Sequence, residues 1–173
     1  IKKFHPDYQI LAYNRTKSVL DDAVFDGIVD VPCVEKDTRF AFCDYIFLCA
    51  TVDYNLECLT WLKDVLRPGC ILTDAGSVKG EIHKQVTALG LTSNFIGGHP
   101  MAGSEKTGYQ NASERLLENA YYILTPTQES PVTAIQGLQT LISSIGAIPL
   151  IMDYHTHDYV TAAVSHLPHI ISA

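Results

Sequence analysis

The chain has 173 residues, enough for one ordinary domain or for one domain and the beginning of a second. Hydrophobic residues make up 47% and charged residues 18%, a balance that suits a buried core and argues against disorder. The net charge of −7 argues against general nucleic-acid binding, because an acidic surface repels phosphate backbones, but it leaves room for a local basic pocket.

Residues 8–13 (YQILAY) form an apolar run that predicts a strand, and residues 14–23 are polar and helix-compatible. A short β-branched piece follows at 28–31. Residues 44–50 (DYIFLCA) are the continuous apolar run of a strand buried on both faces. Leu56, Leu59, Leu62, Val65 and Leu66 then recur at helical spacing until Pro68-Gly69 stops them. A strand over 70–73, a glycine-containing turn, a helix over 78–89 and a strand over 94–98 come next. This alternation predicts right-handed βαβ units and a Rossmann-like, doubly wound, mainly parallel α/β sheet. After Gly98 the rhythm changes. A glycine- and charge-rich loop runs to about Asn119, then a strand over 121–124, a helix over 132–145, a strand over 147–152 and an apolar helix over 156–173.

The five cysteines (Cys33, Cys43, Cys49, Cys58 and Cys70) include no CxxC pair and no zinc-type spacing, so they read as small buried hydrophobes of a reducing compartment. A cytoplasmic protein is expected. The longest apolar stretch, 45–52, is too short to span a bilayer, and no membrane partner is expected. The chain opens on Ile1-Lys2-Lys3-Phe4 without an initiator Met and closes inside an apolar helix, which reads as truncation at both ends.

In an open parallel sheet, ligands bind beyond the carboxyl ends of the strands. The segments to read are therefore Asn14-Arg15-Thr16, Ala50-Thr51-Val52-Asp53, Asp74-Ala75-Gly76-Ser77 and His99-Pro100-Met101-Ala102-Gly103, which are expected to line one crevice. The stretch GGHPMAGSEKTG at 97–108 packs four glycines, a His, a Glu and a Lys into twelve positions at a strand end. Glycine allows close approach of backbone to a ligand, and a histidine there can act as a base near neutral pH. An isolated histidine in such a turn would more simply bond to backbone. This one is accompanied by Ser165-His166-Leu167-Pro168-His169, which places two imidazoles at i and i+3 on one helix face. Pro168 cannot donate to the carbonyl of Val164, so the helix is expected to bend or open beside them.

The runs DAGSVK at 74–79, GGHPMAGSEKTG at 97–108 and SHLPH at 165–169, in this order and spacing, resemble the prephenate/arogenate dehydrogenase family over essentially the whole chain. The resemblance implies oxidative decarboxylation of prephenate or arogenate in tyrosine synthesis, with hydride passing to NAD(P)+. It implies that His99 is the catalytic acceptor of the substrate hydroxyl proton and that Ser77 bonds that hydroxyl and orients the nicotinamide. Ser77 could equally cap a helix beginning at Val78, which is compatible with that role. It also implies that Glu105, His166 and His169 flank the substrate, while their places at strand ends set Asn14, Arg15, Thr16, Ala50 and Thr51, with Ser77, against the cofactor. Under this reading residues 1–152 are a nucleotide-binding domain lacking its first strand and G-x-G-x-x-G turn. Residues 153–173 then begin a helical substrate and dimerisation domain, and the whole enzyme is expected to be a homodimer.

Two departures bear on detail. Val52 stands where the family often has a proline, which concerns local loop shape. Asn14-Arg15-Thr16 stands where NAD-selective sites end the second strand on a carboxylate, so NADP is favoured over NAD: nothing repels a 2′-phosphate and a guanidinium could bind one. Arg15 could instead only stack on adenine. The rival readings are another β-hydroxyacid-type dehydrogenase, and a metal-dependent hydrolase using His155, His157, His166 and His169. The second lacks a carboxylate at ligand spacing.

Overall fold

The computed structural model describes residues 1–103 and 108–166. Among the described residues, seven strands and five α-helices follow one another: β1 Leu11–Ala12, α1 Lys17–Phe25, β2 Val31–Pro32, β3 Tyr45–Leu48, α2 Val52–Leu62, β4 Ile71–Asp74, α3 Gly80–Ala88, β5 Ile96–Pro100, β6 Tyr121–Pro126, α4 Val132–Ser144, β7 Ile148–Ile151 and α5 Tyr154–Thr161. Strand β1 pairs in parallel with β2, and β3 in parallel with β4. A single parallel bridge, Leu72 to Phe95, joins β4 to the approach to β5. Strand β5 pairs antiparallel with β6, which pairs in parallel with β7.

The core shows why this sheet carries helices on both faces. Side chains alternate along a strand, so Ile46 and Leu48 of β3 and Leu72 of β4 face α2 and α3, packing with Leu59, Leu62, Ile82 and Val86. The intervening Tyr45, Phe47 and Ile71 face the other way and pack with Leu138, Leu141 and Ile142 of α4. Continuous apolar runs in β3 and β4 are the sequence trace of this two-sided burial.

Several elements differ from the sequence expectation. The 8–13 run pairs with β2 only through Leu11–Ala12, where Val31 N donates to the Ile10 carbonyl and Cys33 N to the Ala12 carbonyl. The antiparallel β5–β6 pair was not anticipated. The connection between them holds only a 3-10 turn at Tyr109–Asn111 among the described residues, so no crossover helix imposes a parallel return. A 3-10 turn at Thr38–Phe42, opened by the Asp37 carboxylate accepting from Arg39 N, was not foreseen either. Helix α3 begins at Gly80 rather than Val78, and α5 begins at Tyr154, capped by Asp153, which accepts from His155 N and Thr156 N. The winding then widens to a π turn over Ala162–His166, just ahead of Pro168, whose nitrogen has no hydrogen to donate.

Candidate active site

The parallel run of β3 and β4, with the parallel bridge onward to β5, brings the residues after these strands to one end of the sheet. The β1 side is tied to the same end by the Arg15 guanidinium, which lies 4.5 Å above the ring of Tyr54, a residue of the first turn of α2. Tyr54 in turn donates to the Tyr13 hydroxyl at 3.3 Å. The four segments singled out in the sequence therefore share a sheet end.

At the centre, the DAGSVK run folds with its two ends inward and its middle outward. Asp74 and Lys79 are 1% and 0% exposed, whereas Ser77 is exposed. The Asp74 carboxylate accepts from Gly76 N at 2.9 Å and from Gly98 N at 3.0 Å, which fixes the loop and laces β4 to β5. The Lys79 ammonium donates to Asp74 and, at 2.8 Å, to the Gly98 carbonyl. Burial pulls the Lys79 pKa below its ordinary value, against the Asp74 charge that favours the ammonium. This packing explains the adjacent glycines. A Cβ on Gly98 would sit 2.4 Å from the Asp74 carbonyl oxygen, and one on Gly97 would sit 2.2 Å from Thr125 Oγ1.

His99 belongs to β5 itself, opposite Ile123 of β6, rather than to the loop beyond the strand. Its Nδ1 lies 2.8 Å from Nε2 of His157, the fourth residue of α5, and the two rings meet edge to face at 5.1 Å. His157 is fully buried, and its Nδ1 lies 2.8 Å from Asp158 Oδ1. The Asp158 carboxylate also accepts from Lys79 N and Gly80 N, each at 2.8 Å, and so caps α3 from a different helix. This corrects the sequence alternative for Ser77. The start of α3 is held by Asp158, and Ser77, three residues ahead of Gly80, is left outside the helix.

The remaining expected residues fall as follows. Asn14, Arg15 and Thr16 are exposed at the end of β1, where Asn14 Oδ1 accepts from Thr16 N at 2.8 Å. Ala50 and Thr51 are exposed at the end of β3. Their loop is shaped by the buried Asn55, which accepts from Ala50 N at 3.1 Å and donates to the carbonyls of Leu48 and Ala50. Glu105 and His169 lie outside the described residues, and His166 is described only as the last residue of the π turn. His155 and His157, paired in the hydrolase reading, diverge: His155 stands in solvent beside the Tyr154 ring, 4.0 Å between centroids, while His157 turns inward to His99.

Sequence reasoning named the DAGSVK run but not the Asp74–Lys79 pairing within it, and it missed Asn55, the inward role of His157, and Asp158. The visible trace was slight: a charged pair at the two ends of DAGSVK, and a His-Asp dipeptide in an otherwise mixed helix.

A sheet with helices on both faces, and polar loops gathered at the carboxyl ends of its parallel strands, defines a nucleotide-binding α/β domain of the dehydrogenase kind. Residues 1–149 match the family model described as the nucleotide-binding domain of prephenate dehydrogenase, and the chain belongs to that family. It is 41% identical over 176 residues to a prephenate dehydrogenase of Lactococcus lactis, covering 100% of this chain and 47% of that protein. Among solved structures, prephenate dehydrogenase from Aquifex aeolicus in complex with hydroxyphenyl propionate and NAD+ superposes with a TM-score of 0.87. The identity is 30%, over 94% of this chain and 57% of that one. Synechocystis arogenate dehydrogenase superposes equally well, TM-score 0.87 at 32% identity, over 95% of this chain and 58% of that one. The chain spans about half the length of the curated relatives it matches.

Proposed function

We propose that this chain forms the cofactor-side half of an enzyme that oxidatively decarboxylates prephenate or arogenate with NAD(P)+. The observation that carries this reading is the placement of His99 on β5, beside the laced Asp74–Lys79 loop and at the same sheet end as the exposed Ser77. The dinucleotide fits the exposed loops after β1 and β3: a guanidinium and the Asn14–Thr16 turn at one, the Ala50–Thr51 backbone at the other. A bound nicotinamide supplies the hydride acceptor.

His99 takes the proton of the substrate hydroxyl as the hydride leaves the carbon that bears it. The carbon–oxygen bond becomes a carbonyl, and positive charge does not accumulate on the ring. The ring carboxylate then departs as carbon dioxide, its bonding electrons aromatise the ring to a phenolate, and the proton held by His99 returns to that oxygen, giving 4-hydroxyphenylpyruvate from prephenate or tyrosine from arogenate. Ser77, unburdened by helix capping, donates to the same hydroxyl oxygen and keeps it facing His99. Glu105, His166 and His169 complete the substrate side of this reading.

The cofactor is read as NADP in preference to NAD. Arg15 stacks on Tyr54 and, among the described residues, pairs with no carboxylate, which suits its guanidinium to a 2′-phosphate. The enzyme is read as cytoplasmic, with its five thiols free. The test is an assay of the intact gene product with each substrate and each cofactor. Nicotinamide reduction with prephenate or arogenate, faster with NADP+, is expected. No reduction with either substrate would overturn the reading.

A further inference from the structure

Behind His99 stands a line of groups reaching from α5 to the start of α3: His99 Nδ1 to His157 Nε2, His157 Nδ1 to Asp158 Oδ1, and Asp158 to the amides of Lys79 and Gly80, each step 2.8 Å. The protons along this line are fixed by what each group can do. Backbone N–H groups only donate, so both Asp158 oxygens are acceptors. Burial, the largest influence on Asp158, opposes its charge. The bonds from His157, Lys79 N and Gly80 N nevertheless outweigh it and hold the pKa below the ordinary carboxylate value.

A carboxylate can only accept, so the proton of His157 sits on Nδ1. The lone pair of a neutral His157 is then on Nε2, where the Thr161 hydroxyl also approaches, at 3.4 Å. The atom facing that lone pair, His99 Nδ1, must therefore carry the proton of His99. By elimination, the basic nitrogen of His99 is Nε2.

We propose that His157 and Asp158 are positioning residues that select the Nδ1–H tautomer of His99 and so aim its Nε2 lone pair at the substrate hydroxyl. The proposal rests on the reading of His99 as proton acceptor. His157 is out of solvent, so the pair acts through His99. When Nε2 takes the proton, the imidazolium keeps its Nδ1–H directed at the His157 lone pair, with the Asp158 charge behind it. The same carboxylate holds the start of α3, so the loop bearing Ser77 and the ring of His99 are set by one group.

The test is nitrogen NMR of the histidine rings, with steady-state kinetics, on the intact gene product and three variants. In the unaltered protein His99 should show a protonated Nδ1 and an unprotonated Nε2. Asp158→Asn has nearly the same shape, but either orientation of the amide sets its NH2 against a backbone N–H. His99 should then lose its single tautomer, and kcat should fall by about 10²-fold, the scale of a misplaced catalytic group, with little change in KM. His157→Gln keeps an acceptor for His99 and should retain more turnover than His157→Leu at equal folded fraction. A native His99 protonated on Nε2, or full kcat in both Asp158→Asn and His157→Leu, would overturn the proposal. A protonated Nδ1 in a protein inactive on both substrates would support the tautomer relay and sink only the dehydrogenase reading.

Discussion

The β4–β5 side of the shared sheet end and its β1 side are held in different ways. Asp74 and Lys79 are out of solvent, bonded to each other and to the backbone of Gly76 and Gly98, and His99 leans on a buried histidine anchored in turn by Asp158. Asn14, Arg15 and Thr16 are exposed, and among the described residues they are held by one side-chain-to-backbone bond, the bond from Val19 N to the Thr16 carbonyl and one ring contact. The difference matches what the proposed function asks of each end. Moving a proton needs atoms held within tenths of an ångström, which only a packed and fully bonded setting supplies. Meeting a phosphate needs charge at the surface and tolerates a mobile side chain.

The largest expected effect lies at the buried end. Lys79→Ala leaves the Asp74 carboxylate buried without its cation, and the unfolding free energy should fall by about 3–5 kcal/mol. Denaturant unfolding measures this, and a loss no larger than that of a surface substitution would dissolve the contrast between the two ends. At the exposed end, Arg15→Ala should leave stability within about 0.5 kcal/mol of the original. NADP+ binding should nonetheless weaken by about 1.5–3 kcal/mol, the worth of hydrogen bonds to a charged group. Titration calorimetry with both cofactors checks it, and equal losses for NAD+ and NADP+ would mean that Arg15 only stacks.

Gly98→Ala forces a methyl toward the Asp74 carbonyl and should cost about 1–3 kcal/mol of stability, with turnover reduced because His99 is the next residue. An unchanged melting temperature would show that the β4–β5 contact yields easily.

The smallest effect concerns pH. His83, buried beneath the site against the Tyr154 ring and bonded to Thr125, has its pKa lowered to about 4, first by burial and then by the Lys79 charge. An unfolded imidazole titrates near ~6.5, so between there and about 4 the unfolded chain binds more protons. The His83 contribution is therefore intact above that window and is lost as pH falls through it. The stability–pH curve of His83→Asn should be flatter over that window than that of the unaltered chain. Parallel curves would place the imidazole in a far more polar setting.

How much of this was legible depends on whether the determining contact is local. The β3 and β4 runs announce two-sided burial by themselves, and the loops after them follow from strand-end logic, so Ala50 and Ser77 could be placed without coordinates, whereas His99 was expected in a loop and lies within β5. The antiparallel turn of β6 onto β5 could not, because apolar periodicity carries no strand direction. The capping of α3 was misread for the same kind of reason. Serine ahead of a helix is a local signal, but the carboxylate that serves Lys79 and Gly80 comes from Asp158, which lies 79 and 78 positions away in sequence. His157 was visible only as half of a His-x-His pair, and its orientation toward His99 depends on how α5 packs across the sheet end.

The account stands on His99 as the group that removes the substrate hydroxyl proton, and the most direct measurement is the rate of the hydride step in His99→Asn of the intact gene product. Asparagine keeps a hydrogen-bonding group but cannot take the proton. The single-turnover rate of nicotinamide reduction should fall by roughly 10²–10⁴-fold, the worth of a positioned general base, while cofactor affinity changes little. A variant that reduces the nicotinamide at near-normal rate would contradict the account and leave His99 as a structural residue of β5.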